Sequence, residues 1–344
     1  MPAPLIQPDS TAGLTTASNA VTSAAEHTIS RHQPSCDGPL RSAVIVNPVR
    51  VQDLPQRRQV IESCLTAAGW PAPAWFETTA QDTGTGQARH AVAQGAQIVF
   101  VCGGDGTVRS VIAGLIGTEA ALAVLPAGTG NLLATNLGLP DDSEAGVRLA
   151  VERGRRRLDI GEVDGQVFAV MAGMGFDAAM MDDASTSLKA RVGAPAYVVS
   201  AIKHLWDRPM RVVIQIDDAP PVTRRARTVL VGNVGRLQAG INLLPDAEPD
   251  NGQMEVAVLS PRSIWHWVKL AWAVMRGRKR VPRLEILRGS RIEIVSDRPQ
   301  PRELDGDVVE PDRTLSVIVR PGAVLLCVAQ PDQAADLTAG APKG

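Results

Sequence analysis

The residues Gly103-Gly104-Asp105-Gly106-Thr107 stand between an apolar run, Gln97-Ile98-Val99-Phe100-Val101, and a helical pattern that buries Val108, Val111, Ile112, Leu115 and Ile116 on one face. A strand, a glycine-rich turn and a helix in that order aim backbone N–H groups at the start of the helix, where an anion such as phosphate is favoured. Glycine lets the backbone approach the anion closely. Asp105 runs against that arrangement. A carboxylate beside phosphate repels it unless a cation bridges them, which points to Mg²⁺. The plainer alternative is a tight βα turn.

A second stretch repeats this logic. Ala121-Leu122-Ala123-Val124-Leu125 reads as a strand that runs into Pro126-Ala127-Gly128-Thr129-Gly130-Asn131, with a helix starting at Leu132. It lacks the Gly-Lys-Ser/Thr of a Walker A loop and the spacing of a dinucleotide GxGxxG. Its plainer alternative is a helix start capped by Thr129 or Asn131.

The elements that must carry these loops alternate. Ser42-Ala43-Val44-Ile45-Val46 is a strand ending at Asn47-Pro48. A helix from Gln56 to Ala68, a short strand from Pro73 to Glu77 ending at Thr78-Thr79, and a helix from Gln87 to Gln94 follow. This βαβαβαβ order implies a doubly wound α/β domain with a parallel sheet. Ligands of such sheets sit beyond the strand C-termini, so Asn47, Thr79, Gly103 to Thr107 and Gly128 to Asn131 can share one crevice.

After a helix from Ser143 to Arg153 the pattern becomes strand-rich. Leu158 to Val163 and Gln166 to Met171 flank Asp164-Gly165, a hairpin signal. Strands are also expected at 210–216, 227–231, 254–259, 290–295 and 314–320, with helices at about 194–206 and 263–275. The expected architecture is α/β plus all-β. A nucleotide-binding domain spans 41–155 and is joined by about 321–329. A β-sandwich spans 156–320. Residues 1–40 and 330–344, poor in large apolar side chains, read as a disordered and a loose tail.

Composition narrows the function classes. A net charge of -1 gives no overall attraction to nucleic acid. Cys36, Cys64, Cys102 and Cys327 are scattered without a CxxC pair, which argues against zinc and against a disulfide framework and fits a cytoplasmic, reducing setting. No apolar run approaches the roughly 20 residues of a membrane span, and the first basic residue is Arg31, unlike a signal peptide. Trp265, Trp267 and Trp272 precede Arg276, Arg278, Lys279, Arg280 and Arg283. That pairing suits peripheral contact with a membrane surface, and equally a helix packed on the sandwich with a solvated basic end. Arg155-Arg156-Arg157 reads as a solvated charge run, or, at the domain junction, as a contact to phosphate. An edge strand of the sandwich offers a route to a homodimer.

The two glycine loops together resemble the diacylglycerol kinase catalytic family, which includes bacterial lipid kinases and sphingosine kinases. Val46-Asn47-Pro48, Leu158-Asp159-Ile160-Gly161, Gly173-Met174-Gly175-Phe176-Asp177-Ala178, Lys189 with Gly193 and Tyr197, and Leu304-Asp305-Gly306-Asp307 extend the likeness over roughly residues 41 to 329. The resemblance implies a flavodoxin- or phosphofructokinase-like first domain, a β-sandwich second domain, and ATP-dependent phosphorylation of a lipid hydroxyl between them. By similarity, Asn47, Thr79 (or Thr78), Gly103, Gly104, Gly106, Thr107, Gly128, Thr129 and Asn131 hold ATP. Asp105 acts through Mg²⁺, and Asp159 and Lys189 complete the charged cleft.

A lipid alcohol needs a base near its hydroxyl, and Asp305 and Asp307 are both candidates. The family has Glu where Asp307 stands. The plainer reading of Asp305-Gly306-Asp307 is a hairpin turn. Relatives also carry a structural Mg²⁺ at a Pro-x-Ala…Asp-Gly segment; here Pro245 to Gly252 has Asn251 at the usual Asp, with Asp250 as a substitute ligand. Leu132 after Asn131 is nearer the sphingosine-kinase pattern than the diacylglycerol-kinase one. The alternatives are an NAD kinase-like enzyme, since Gly-Gly-Asp-Gly occurs there too, and a non-catalytic nucleotide- or lipid-binding sensor.

Overall fold

A computed structural model describes residues 38–128, 130–175, 209–235, 243–260 and 284–330. The first half runs β1 (Ser42–Val46), α1 (Leu54–Ala67), β2 (Ala74–Glu77), α2 (Thr85–Ala93), β3 (Ile98–Gly103), α3 (Asp105–Leu115), β4 (Ala121–Pro126), α4 (Leu132–Asn136) and α5 (Ser143–Val151). β1, β3 and β4 are buried along their whole length, as expected of parallel strands covered on both faces. Alternation divides their side chains between two cores. Ile45, Val99, Val101 and Leu122 pack with Val108, Val111, Ile112 and Leu115 of α3. Val46, Phe100, Cys102 and Leu125 pack with Ile61 and Leu65 of α1 and Val147 of α5.

The parallel order β2-β1-β3-β4 has a register that matters for the site. Val46 pairs with Cys102, and Gly103 with Pro126. The pairing carries on past the strand ends, where Asn47 N donates to Cys102 O (2.9 Å) and Ala127 N to Gly103 O (3.1 Å). Asn47, Gly104 and Ala127 therefore leave the sheet side by side.

The second half runs β5 (Arg155–Val163), β6 (Gln166–Phe168), β7 (Met171–Gly175), β8 (Met210–Ile216), β9 (Val222–Ala226), β10 (Thr228–Gly232), β11 (Met254–Leu259), β12 (Leu284–Gly289), β13 (Arg291–Leu304) and β14 (Asp307–Cys327). It forms a β-sandwich. One layer is β12-β11-β10-β7 with the end of β13; the other is β9-β8 with the start of β13, then β14 and β5. The filling includes Met174, Val229 and Val256 from the first layer and Val212, Ile292, Leu315 and Val317 from the second. β13 changes layer where its register to β14 shifts, between Val295 and Arg302, a stretch that contains Pro299 and Pro301. β14 bends between Arg320 and Val324 and pairs in parallel with β4 through Leu325 and Leu326.

Three expectations need correction. The single strand over Gln166–Met171 is two strands, broken at Ala169-Val170 because those amides bond a distant carboxylate, described below. β9 and β12 are additional strands. Arg155, Arg156 and Arg157 are not a solvated run: Arg155 donates to the carbonyls of Gly154 and Ala150, Arg156 pairs with Asp250, and Arg157 pairs with Glu119. The expected helices at 194–206 and 263–275, both tails, and the Trp and Arg segment of 265–283 lie outside the described residues.

Candidate active site

The two glycine loops touch. A Cβ on Gly128 would stand 2.9 Å from Gly104 Cα. A Cβ on Gly103 would stand 2.7 Å from Thr107 Cβ, so the first loop folds over its own threonine. Thr107 is buried and accepts a hydrogen bond from Asn47 Nδ2 at 3.1 Å, which joins the end of β1 to the start of α3. Asn131, in the left-handed conformation (φ 45°), closes the second loop: its Oδ1 accepts from Gly128 N (3.1 Å) and its Nδ2 donates to Gly128 O (2.8 Å).

A differential result follows. Gly128→Ala drives a methyl against backbone, which cannot swing aside, and lowers unfolding free energy by about 1–3 kcal/mol. On Gly104 the same methyl meets only Gly128 Cα at 3.8 Å and costs much less. Urea unfolding of the two variants checks the difference; equal midpoints refute it.

Asp105 opens α3 and pins one loop to the other. Its Oδ1 accepts from Leu132 N at 2.6 Å, and its Oδ2 lies 2.6 Å from where a Cβ of Gly130 would be. Burial pushes its carboxyl above the usual range; the amides of Leu132 and Asn131 pull it down, and the charge of Asp307 adds to the rise. The amides of Leu132 and Asn131 thus bond this carboxylate, and a second carboxylate is near. That donor set fits a Mg²⁺ ion held mainly by phosphate oxygens rather than an all-protein cage. Among the described residues no group of three or more His, Cys, Asp or Glu forms a metal cluster.

Asp305-Gly306 is a two-residue hairpin between β13 and β14, with positive φ at both positions (49° and 86°), as a type I′ turn demands. The turn separates the two carboxylates. Asp305 is buried. Its Oδ2 accepts from Ala169 N (2.8 Å), and its Oδ1 from Val170 N (2.8 Å) and Met171 N (3.0 Å). Burial raises its pKa to about 6, against the pull of those amides and of Arg109. Asp307 faces the other way. Its side chain is 55% exposed, it pairs with Arg109 Nη2 at 2.9 Å, and its Oδ2 lies 3.3 Å from where a Cβ of Gly106 would be. So the hairpin holds Asp307 over the first turn of α3. Both oxygens of Asp305 accept from amides, and these bonds hold the hairpin to the β6–β7 junction.

Other expected site residues fall elsewhere. Asp159 does not complete the cleft. It is buried, its Oδ2 accepts from Gly252 N (2.6 Å) and its Oδ1 from Gly322 N (2.7 Å), so it fastens β5 to the loop before β11 and to the bend of β14. Asp250 does not fit a metal, because the Arg156 guanidinium grips both its oxygens at 2.7 and 2.8 Å. Thr79 is exposed one strand beyond Asn47, and its hydroxyl accepts from Asp82 N (3.1 Å). Thr78 beside it is buried. Thr129 and Lys189 lie outside the described residues. Arg109 is a functional candidate that sequence reasoning missed, since an arginine on the polar face of an amphipathic helix looks like any solvated one.

A doubly wound half thus carries paired glycine loops at its strand ends, and a carboxylate hairpin from the β-sandwich half lies against the first of them. Residues 41–163 match the diacylglycerol kinase catalytic domain, and residues 169–328 match the YegS C-terminal NAD kinase beta sandwich-like domain. A Pseudomonas aeruginosa protein described as "Probable lipid kinase YegS-like" is 30% identical over 245 residues, 68% of this chain and 77% of that one. A Bacillus subtilis diacylglycerol kinase is 27% identical over 245 residues, 69% and 79% of the two chains. The crystal structure of a diacylglycerol kinase from Bacillus anthracis shares the fold with a TM-score of 0.65 at 21% identity, covering 86% of this chain and 98% of that one. The chain belongs to the diacylglycerol kinase catalytic-domain family of lipid kinases.

Proposed function

We propose that the protein transfers the γ-phosphate of ATP to the hydroxyl of a membrane lipid of the diacylglycerol or sphingoid type. The observation that carries this reading is the position of Asp307, brought from the far end of the chain to Gly106 over the paired glycine loops. The amides of Gly104 to Gly106, at the start of α3, bind and orient the phosphates. Asp307 accepts the proton of the attacking hydroxyl. Asp105 is the carboxylate placed to hold Mg²⁺, which when bound neutralises phosphate charge. Phosphoryl transfer asks for such positioning and charge compensation more than for covalent help. The names of the relatives support a lipid acceptor. Such an acceptor lies in a bilayer, so the reading includes peripheral membrane contact; among the described residues no helix is long and apolar enough to cross one.

Labelled ATP offered with diacylglycerol, a sphingoid base, ceramide and NAD in mixed micelles tests the reading. The expected product is a phosphorylated lipid. Product with NAD alone overturns the lipid assignment, and ATP binding without any product favours a sensor.

A further inference from the structure

We infer that Arg109 is a positioning residue for this reaction: it holds Oδ2 of Asp307 so that Oδ1 serves the acceptor hydroxyl, an inference that rests on the kinase reading above. Arg109 follows Asp105 by four residues on α3, so the two side chains leave the same face one turn apart. Its Nη1 donates to Leu304 O at 2.8 Å and its Nη2 to Asp307 Oδ2 at 2.9 Å. Leu304 and Asp307 are the pair that closes the two-residue hairpin. One guanidinium therefore spans both strands of the hairpin at its last rung.

This is not an ordinary surface ion pair, whose two flexible partners gain little from meeting. The carbonyl of Leu304 fixes the guanidinium independently of Asp307, and only 18% of the Arg109 side chain is exposed. The planar fork delivers its two donors in a set geometry, which an ammonium on a flexible stem does not.

The hairpin is otherwise fastened to its own domain, through Asp305 and the amides of Ala169, Val170 and Met171. Arg109 adds the tie to the helix that begins in the phosphate loop. Arg109 thus fixes where Asp307 stands relative to the first turn of α3.

The test compares the full-length wild type, Arg109→Lys, Arg109→Met, Asp307→Asn and the Arg109→Met/Asp307→Asn double variant. The readouts are kcat, KM for ATP and the unfolding midpoint. Arg109→Met should lower kcat about 10²-fold, the scale of a small misplacement of reacting groups, with KM for ATP little changed. Arg109→Lys should recover part of the loss. In the double variant, Arg109→Met should add little to Asp307→Asn, because both act through one carboxylate.

Arg109→Met with wild-type kcat, losses that multiply in the double variant, or a loss confined to KM for ATP would each overturn the inference. If Arg109→Met does not fold, Arg109→Lys carries the test: a native midpoint with lowered kcat supports positioning, and a native midpoint with wild-type kcat refutes it. Failure of the wild type to phosphorylate any lipid while still binding ATP overturns the kinase reading and this inference together. Transfer by the wild type with unaffected variants overturns the inference alone.

Discussion

Asp307→Asn will lower kcat for phosphate transfer by about 10²- to 10⁴-fold while leaving the unfolding midpoint close to that of the wild type. The substitution keeps the size of the side chain and removes its ability to take up a proton. It costs little stability, because the carboxylate is half exposed and its ion pair to Arg109 is partly replaced by the amide oxygen. Arg109 keeps its bond to Leu304 O, so the hairpin stays anchored. KM for ATP should change little, because Asp307 stands over the first turn of α3 and is not one of the loop amides. Asp307→Glu restores the carboxylate one methylene further out, matches the family's usual residue, and should retain part of the activity. Steady-state kinetics against the preferred lipid decides the matter. A fully active Asp307→Asn enzyme would mean that the hydroxyl is deprotonated by another group.

The α/β half was legible in the sequence because its signals are local. The apolar runs of β1, β3 and β4 are continuous, glycines end them, and α3 shows helical periodicity at once; from these the meeting of the two loops follows. Strand register then explains why Asn47 and Thr107, sixty residues apart, share a hydrogen bond. The roles of the acidic residues were less legible, because partners far along the chain decide them. Asp305 and Asp307 look equivalent on either side of a glycine. Only the positive-φ turn sends one inward to three amides and the other outward to Arg109.

Asp159 reads as a cleft residue until Gly252 and Gly322, 93 and 163 residues away, take its two oxygens. Asp250 looks like a metal ligand until Arg156 arrives from β5. In each case the residue type announced a charge, and the fold determined whether that charge was available. Availability here depends on orphaned backbone amides and a nearby guanidinium, groups that composition and spacing do not reveal.

Asp305 supplies the opposite result to Asp307, a large loss of stability. Asp305→Ala strands the amides of Ala169, Val170 and Met171 without acceptors and forces alanine into a left-handed backbone that aspartate tolerates, and together these cost about 2–4 kcal/mol. Asp305→Asn is milder. It tolerates the turn and keeps one acceptor oxygen, although its NH₂ must face an amide that also donates. Its value lies in pH dependence.

The carboxyl of Asp305 is raised from 3.8 to about 6 in the folded protein, chiefly by burial. The native state therefore binds this proton more tightly than the unfolded chain does. Its contribution to stability is complete below about pH 4 and is lost as the pH rises through about 6, a swing of order 3 kcal/mol. Asparagine has no such proton. The stability advantage of wild type over Asp305→Asn should accordingly be larger at about pH 5 than at about pH 8, by roughly 1–2 kcal/mol in urea unfolding. Asp105 and Asp159, also raised by burial, add pH dependence of the same sign to both proteins, so the difference between the two isolates Asp305. An advantage that grows with pH instead would show that the three amides outweigh burial and hold the carboxylate ionised. The hairpin beneath Asp307 would then be anchored by a buried charge whose grip tightens as the solution becomes more basic.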